Sequence, residues 1–313
     1  MTLRQTAPLV TPCARRQSIN LMRFTPGLFL AAMVLSWSSG FIGYRYVAEQ
    51  GGVFLATFWR FVLAALVLLP FVMGGLRRLD WREGVRQGLT GLFAIAGYLA
   101  PIAKAIECGV APGMTALIAN LLPLLIVLMA AFYPGQRTRG WQWFGLSTCV
   151  LGMIIASGSG IELGSAPGWA YSLPLLGVLS LAAATHYQKQ RPSQMPRLLA
   201  LFIQVCASLP VFALLALYEG SLRPIATVSF GVGVGWLVIL STLGGYGFYW
   251  LCLQRYSLQR VSSALFLTPP ATMLWARLQF GDALTAISVA GIGLTLLGLW
   301  VFNRRGSAAD PPL

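Results

Sequence analysis

Apolar runs of about 20 residues follow one another along almost the whole chain, and short polar segments separate them. A helix of about 20 apolar residues crosses the hydrocarbon core of a bilayer, because each residue adds about 1.5 Å. The pattern therefore predicts an all-α integral membrane protein with ten transmembrane helices and no soluble domain. The ten predicted spans are 27–47, 53–74, 87–106, 110–133, 141–159, 168–188, 197–218, 231–253, 260–280 and 284–302.

The basic residues indicate how these spans are oriented. If the N-terminus is cytoplasmic and ten spans alternate in direction, 17 of the 22 Lys and Arg residues fall on cytoplasmic segments. Cytoplasmic loops of membrane proteins carry such an excess of positive charge. The sequence thus predicts a multi-pass protein with both termini in the cytoplasm, in tails at 1–26 and 303–313.

Several prolines and glycines recur at one fixed separation, which indicates an internal duplication. The pairs that lie 146 residues apart are Pro123 and Pro269, Gly135 and Gly281, Gly145 and Gly291, and Gly152 and Gly298. We infer two repeats, at 27–159 and 168–302, joined by an outer linker at 160–167. Each repeat holds five predicted spans, and the odd number makes the second copy enter the membrane from the opposite side. Inverted repeats are typical of transporters, whose substrate site lies between the halves near mid-membrane.

Pro123 and Pro269 stand inside their predicted spans, where each removes one backbone hydrogen bond. A carbonyl freed in this way is tolerated in a membrane where it faces protein or a wet cavity. We therefore predict helix breaks at both prolines and expect the broken helices to line a solute path. The alternative is a kink that only packs against a neighbouring helix.

Composition and charge narrow the class of function. The 313 residues are 57% hydrophobic and 10% charged, whereas a soluble domain carries about 25% charged residues. The net charge of +14 is spread over many loops, so we expect no nucleic-acid partner. No metal-ligand spacing, nucleophile–base pair or phosphate-binding loop is seen, so we expect neither an enzyme nor a metal or cofactor. A membrane enzyme acting on lipid and a non-transporting scaffold are the alternatives from other classes.

Arg60 is the most informative polar residue, since it lies well inside the second predicted span. A charge at that depth costs several kcal/mol unless it faces the protein interior or finds a partner. It could bind a substrate carboxylate, or it could be structural, capping freed carbonyls or pairing with Glu49. No Asp or Glu lies deep in a predicted span, which argues against exchange of organic cations and favours neutral, zwitterionic or anionic solutes.

Other polar and aromatic residues within the spans are candidates for the lining of a solute cavity. They are Trp37, Ser39 and Tyr44 in the first span, Asn120 and Thr268 beside the two prolines, Gln204 in the seventh span, and Tyr246 and Tyr249 in the eighth. Ordinary helix packing is the alternative for each, with Tyr44 in the outer aromatic belt. We expect the single histidine, His186, at the cytoplasmic interface, and Arg277 paired with Asp282 at the outer surface.

Four longer motifs occur in a characteristic order along the chain. They are SWSSGFIGYRY (36–46), FWRF (58–61), THYQKQR (185–191) and SALFLTPPATMLWARLQFGD (263–282). Together with the span around Pro123, they resemble the EamA-type, ten-helix members of the drug/metabolite transporter superfamily over roughly 27–303. The chain departs from that family at two positions, with Asp282 in place of the usual Glu and Gln136 where many members have an acidic residue.

The resemblance implies a carrier of the bacterial inner membrane that works by alternating access and often exports amino acids or other metabolites. Uptake and multidrug efflux are the alternatives within the transporter class. The implied partners are a small-molecule solute and the lipid bilayer, with a proton or a counter-solute as options for coupling. The residues indicate neither the particular solute nor the oligomeric state.

Overall fold

A computed structural model describes residues 26–48, 52–110, 112–131, 140–157 and 166–304, whose regular structure is helical. Both tails beyond these limits, most of the linker at 160–167, Glu49 and Gln136 lie outside the described residues. The first repeat contains α1 (Pro26–Ala48), α2 (Val53–Leu76), α3 (Trp81–Gly91), α4 (Gly97–Glu107), α5 (Pro112–Ala119), α6 (Leu122–Ala131) and α7 (Gly140–Ser157). A π-helical segment, Leu92–Ala96, joins α3 to α4 in one continuous rod.

The second repeat has the same succession of helices. It contains α8 (Ser172–Gln190), α9 (Arg197–Tyr218), α10 (Val228–Trp236), α11 (Gly247–Arg255), α12 (Leu258–Leu265), α13 (Thr268–Phe280) and α14 (Ala286–Asn303). A 3-10 turn at Gly168–Tyr171 precedes α8, and the π-helical segment Leu237–Tyr246 joins α10 to α11. A π helix has a wider turn than an α helix and is frequently found at functional sites.

Six helical stretches in the described residues are long and apolar enough to cross a membrane. They are Gly27–Val47, Val53–Leu76, Trp81–Glu107, Gly168–Gln190, Arg197–Tyr218 and Val228–Arg255. Three shorter apolar helices, Met114–Met129, Gly140–Ala156 and Ala286–Phe302, lie at the fourth, fifth and tenth predicted spans. The ninth predicted span is occupied by α12 and α13, which a break separates.

The helix boundaries repeat with the same separation as the prolines and glycines. A shift of 146 residues carries α5, α6 and α7 onto α12, α13 and α14, and the first position of each helix then coincides with that of its counterpart. The same shift places Leu92–Ala96 within Leu237–Tyr246, so the π-helical segments lie at equivalent positions in the two halves of the chain. The spacing of the prolines and glycines is therefore matched by the spacing of the helices.

Equivalent helices of the two repeats pack against each other in antiparallel pairs. Gly145 of α7 lies against Phe302 of α14, and Gly152 lies against Thr295, so one helix runs up as the other runs down. A Cβ at Gly152 would fall 2.5 Å from the Thr295 nitrogen. Glycine thus permits backbone-to-backbone packing, the usual means of helix association in lipid.

The pair α2 and α9 has the same antiparallel arrangement. The rings of Phe61 and Phe212 have centroids 5.4 Å apart near the middle of both helices. At one end, the backbone N–H of Leu55 donates to Glu219 at 3.0 Å. A carboxylate at a helix N-terminus is favourable because it accepts hydrogen bonds from uncapped N–H groups and is attracted to the positive end of the helix dipole.

Candidate functional site

Both helices that carry the matched prolines are interrupted. The break between α5 and α6 falls at Asn120 and Leu121, and the break between α12 and α13 falls at the equivalent Phe266 and Leu267. Each proline is the second residue of the helix that follows, where a missing N–H costs least. Pro123 and Pro269 are both buried in protein.

The side chains beside these breaks differ in their surroundings. Asn120 is partly buried, whereas Thr268 is 3% exposed. The Thr268 hydroxyl has no hydrogen-bond partner among the described residues. His186 of α8 is buried rather than at the interface as expected, and its Nε2 lies 2.9 Å from the Ile126 carbonyl of α6.

Arg60 lies in the interior of the protein, surrounded by hydroxyl groups, and is 2% exposed. Its Nε donates to Thr242 Oγ1 at 2.6 Å and its Nη2 donates to Ser241 Oγ at 2.9 Å. Its Nη1 donates more weakly to the Tyr44 hydroxyl at 3.3 Å, and that hydroxyl lies 2.9 Å from Thr57 Oγ1. No ion pair of Arg60 with a carboxylate exists within the residues that the structure describes.

The π-helical segment positions two of these hydroxyls. Ser241 and Thr242 are consecutive residues of Leu237–Tyr246, and Thr242 Oγ1 also donates to the Leu237 carbonyl at 3.1 Å. Gly40 of α1 lies opposite Ser241, where a Cβ would fall 2.7 Å from its Oγ. A side chain at position 40 would therefore displace the Ser241 hydroxyl that accepts from Arg60.

Four aromatic side chains gather beside Arg60, and we name them the aromatic cluster: Trp37, Tyr98, Tyr246 and Tyr249. The Trp37 ring centroid lies 6.2 Å from that of Tyr98, 5.3 Å from that of Tyr246 and 5.1 Å from that of Tyr249. Arg60 bonds to Ser241 and Thr242 of the π-helical segment that ends at Tyr246, which links the guanidinium to the cluster.

Hydrogen bonds fix two rings of the aromatic cluster. The Tyr246 hydroxyl donates to the Ala94 carbonyl, 3.3 Å away in the π-helical segment of the first repeat. The Tyr249 hydroxyl lies 2.6 Å from Thr185 Oγ1 of α8. The cluster therefore ties together helices of both repeats around one cationic group.

The structure brings five of the predicted cavity residues together and leaves four elsewhere. Trp37, Tyr44, Arg60, Tyr246 and Tyr249 form one neighbourhood. Ser39 instead donates to the Ser36 carbonyl of its own helix at 2.7 Å. Gln204 is fully buried between α9 and α3, where it donates to Gln87 at 2.8 Å. Asn120 and Thr268 lie at the helix breaks.

Sequence reasoning missed Tyr98 and the hydroxyl pair Ser241 and Thr242. The pair follows an unbroken apolar stretch in the eighth predicted span, and this signal was available from the sequence. Tyr98 gives no comparable signal, because a tyrosine in a span is equally compatible with helix packing. Within the described residues, no group of three or more His, Cys, Asp and Glu side chains could hold a metal ion.

At the ends of α1 and α13, Asp282 forms an ion pair different from the one expected. Its carboxylate accepts from Arg45 at 2.6 Å, and both side chains are nearly half exposed. Arg277 donates instead to the backbone carbonyl of Asp282 at 3.3 Å. Gly281 closes α13 in the left-handed conformation with φ of 72°, which directs Asp282 back toward α1.

Comparison with known proteins gives consistent results for both repeats. The model of the EamA-like transporter family matches residues 25–158 and again residues 168–304. An uncharacterized transporter of Archaeoglobus fulgidus is 24% identical over 287 residues, which cover 89% of this chain and 98% of that protein. A crystal structure with 22% identity covers 90% of this chain and 99% of its own at a TM-score of 0.75, which shows a shared fold.

Two relatives have names that mention amino acids. The "Probable amino-acid metabolite efflux pump" of Escherichia coli K12 is 22% identical over 284 residues, covering 88% of this chain and 93% of that protein. The "Probable terminal-alkyne amino-acid exporter" of Streptantibioticus cattleyicolor is 24% identical over 282 residues, covering 88% and 92% respectively.

Proposed function

The chain belongs to the EamA-like transporter family, and from this premise we propose that it is a secondary carrier exporting amino acids or similar amphipathic metabolites. It is a multi-pass membrane protein and a transporter rather than an enzyme. The observation that carries the proposal is Arg60, a buried cation that bonds only to neutral hydroxyls among the described residues. Such a group is poised to receive an anion from outside the protein.

The neighbourhood of Arg60 matches the two ends of an amphipathic carboxylate. A guanidinium can bind a carboxylate through two parallel, charge-assisted hydrogen bonds. The aromatic cluster beside it offers apolar surface for the solute's side chain, as ligand sites do with few polar anchors in an apolar wall. A cationic drug would be repelled by Arg60, so the site favours anionic and zwitterionic solutes.

The direction of transport is proposed from the relatives, two of which are named for the efflux or export of amino-acid compounds. The number of spans and their orientation are proposed from the sequence and the packing. We assign ten spans, in two inverted repeats, to the bacterial inner membrane with cytoplasmic termini. The antiparallel pairing of α7 with α14 supports the inversion, since equivalent helices then run in opposite directions.

Rocking of one repeat against the other would give alternating access to the Arg60 site. In this orientation, α6 and α12 form the cytoplasmic halves of the broken spans, and they pack against each other. His186 bonds to α6 on the same side. These contacts support a closed cytoplasmic side in this structure.

Labelling of single cysteines tests the inverted topology. In a background without the five native cysteines, Arg137→Cys and Ser257→Cys should react only with reagent on the cytoplasmic side. Ser221→Cys, placed between α9 and α10, should react from the outside and serves as the control. Opposite sidedness of the Arg137→Cys and Ser257→Cys labels would contradict two antiparallel copies.

Counterflow in proteoliposomes tests the carrier itself. Vesicles preloaded with an unlabelled amino acid should accumulate the labelled form transiently. A carrier that exchanges solute brings labelled molecules in faster than the concentration gradient of the unlabelled solute disappears. A panel should include apolar, aromatic and basic amino acids, with the matching amines that lack a carboxylate as controls, at equal and at unequal pH. Accumulation of the amines alone, or of no compound, would contradict the proposed solute class.

A further inference from the structure

A groove lies on the surface of the protein between α2, the start of α9 and α11. Its volume is about 940 Å³. The side chains that line it are mainly Val67, Leu68, Phe71 and Val72 of α2, Leu198 and Leu201 of α9, and Phe248, Trp250 and Leu251 of α11. None of the residues that bond to Arg60 lines this groove, and the two regions meet where Trp250 packs against Tyr249, with ring centroids 5.1 Å apart.

The wall of the groove is apolar and open toward the lipid phase. Phe71 is 72% exposed and Leu198 is 49% exposed. Its volume lies near the upper end of the range for ligand sites, about 300 to 1,000 Å³. A surface of this kind within a membrane accommodates hydrocarbon chains rather than water.

One end of the groove is polar and basic. Ser193, Gln194, Arg197 and Gln254 line that end, and Arg197 Nε donates to Gln254 at 2.7 Å. This bond orients the guanidinium, and within the described residues its terminal nitrogens form no ion pair with a carboxylate. The basic group therefore lies where the hydrocarbon-lined groove meets the membrane surface.

The start of α9 makes this end of the groove a better binding site for an anion. The helix is 22 residues long, begins at Arg197, and has no side chain that caps its first N–H groups. Free N–H groups and the helix dipole together make such a terminus a site for phosphate. A phosphate here would meet the guanidinium and the helix terminus at once.

Trp250 adds an independent observation inside the groove. Its side chain is 6% exposed, yet its indole N–H has no acceptor among the described residues. A buried N–H without an acceptor destabilises the folded state. A ligand oxygen in the groove, such as an ester carbonyl next to a phosphate, would satisfy it once the ring turned its N–H edge into the groove.

We propose that this groove binds an anionic glycerophospholipid of the cytoplasmic leaflet. The acyl chains lie along α2 and α11, the phosphate lies at Arg197 and the start of α9, and an ester oxygen accepts from Trp250. A free phosphate would use only the polar end and would leave the apolar wall uncovered. A neutral lipid would use only the wall.

The test measures lipid binding to delipidated, full-length protein in detergent, by native mass spectrometry and by the shift in melting temperature. Dioleoylphosphatidylglycerol should bind and raise the melting temperature, while dioleoylphosphatidylcholine and glycerol phosphate should do so far less. Arg197→Gln should weaken binding of the anionic lipid about tenfold, which corresponds to one charge-assisted hydrogen bond. Trp250→Phe, which removes the N–H and keeps an aromatic ring, should weaken it several-fold.

Arg223→Gln, in the loop before α10, is the matched control and should bind like the wild type. The melting temperature of each variant without lipid shows that the protein is folded. Equal binding of the two lipids, binding of glycerol phosphate as strong as that of the lipid, or unchanged affinity in Arg197→Gln would each overturn the proposal. Loss of amino-acid counterflow would not bear on it, because the readout is lipid binding.

Discussion

Replacement of Arg60 with Gln should reduce transport of carboxylate-bearing solutes at least 100-fold while leaving the protein as stable as the wild type. The loss follows because the guanidinium is the buried cation that we propose as the carboxylate anchor. Two charge-assisted hydrogen bonds contribute about 1.5 to 3 kcal/mol each, so their removal corresponds to a factor of roughly 100 or more. Initial uptake rates in proteoliposomes give this measurement.

The stability half of this prediction separates a solute anchor from a structural group. A buried charge without a counter-ion is costly to remove from water, and its replacement by a neutral polar side chain removes that cost. Arg60→Gln can still bond to Thr242 or Ser241, whose hydroxyls accept from the native side chain. The melting temperature of the variant should therefore equal or exceed that of the wild type.

Two further variants complete this experiment. Arg60→Lys keeps the charge but loses the planar fork, so it should recover part of the transport. Arg45→Gln removes an exposed arginine whose ion pair with Asp282 lies at the outer ends of α1 and α13, and it should transport nearly normally. A fall in melting temperature of Arg60→Gln with unchanged transport by the folded fraction would assign Arg60 a structural role instead.

The sequence predicted the backbone plan better than the neighbourhood of Arg60. Apolar run length, the prolines and the separation of 146 residues are local or periodic signals, and helix breaks occur at Asn120–Leu121 and Phe266–Leu267. The depth of Arg60 in the membrane and the candidacy of Trp37 and Tyr249 for the site could also be predicted from their positions in the spans. Each of these features depends on the local sequence rather than on contacts between distant helices.

The remaining contacts depend on how distant helices meet. Ser39 and Tyr44 are both candidates in the first span, yet Ser39 bonds to its own backbone and Tyr44 reaches Arg60. Gln204 pairs with Gln87 across α3 and α9. His186 is buried and its Nε2 lies within hydrogen-bond distance of the Ile126 carbonyl. An α-helical period also places residues wrongly where a π turn intervenes, as at Leu237–Tyr246.

The site is asymmetric although the backbone is duplicated. A shift of 146 residues takes Trp37 to Ala183, Arg60 to Cys206 and Tyr98 to Gly244. The duplicated features are those that break and pack helices, namely the prolines, the glycines and the π-helical segments. The proposed solute site draws on both repeats, but its arginine occurs only in the first, so one solute per carrier is expected.

Gly291→Ala should destabilise the protein strongly, because α7 and α14 pack backbone to backbone at this position. A Cβ at Gly291 would fall 2.2 Å from the Ala156 nitrogen and 2.6 Å from the Gly152 carbonyl oxygen. These atoms belong to the facing backbone, so the two helices must separate rather than adjust a side chain. Overpacking of a rigid site costs about 1 to 3 kcal/mol or more. We expect a fall of several degrees in melting temperature, measured by size exclusion after heating in detergent.

Gly293→Ala, two residues later on α14, is the matched control for Gly291→Ala. The same methyl group would meet no heavy atom within 4 Å there. Alanine is the better helix former by roughly 0.5 to 1 kcal/mol, so this variant should equal or exceed the wild type in stability. The same chemical change thus has opposite signs at two neighbouring positions, which helix propensity alone does not explain. Equal melting temperatures for the two variants would show that α7 and α14 do not pack in this antiparallel, glycine-dependent manner, and the support that this pair gives to the inverted repeat would be lost.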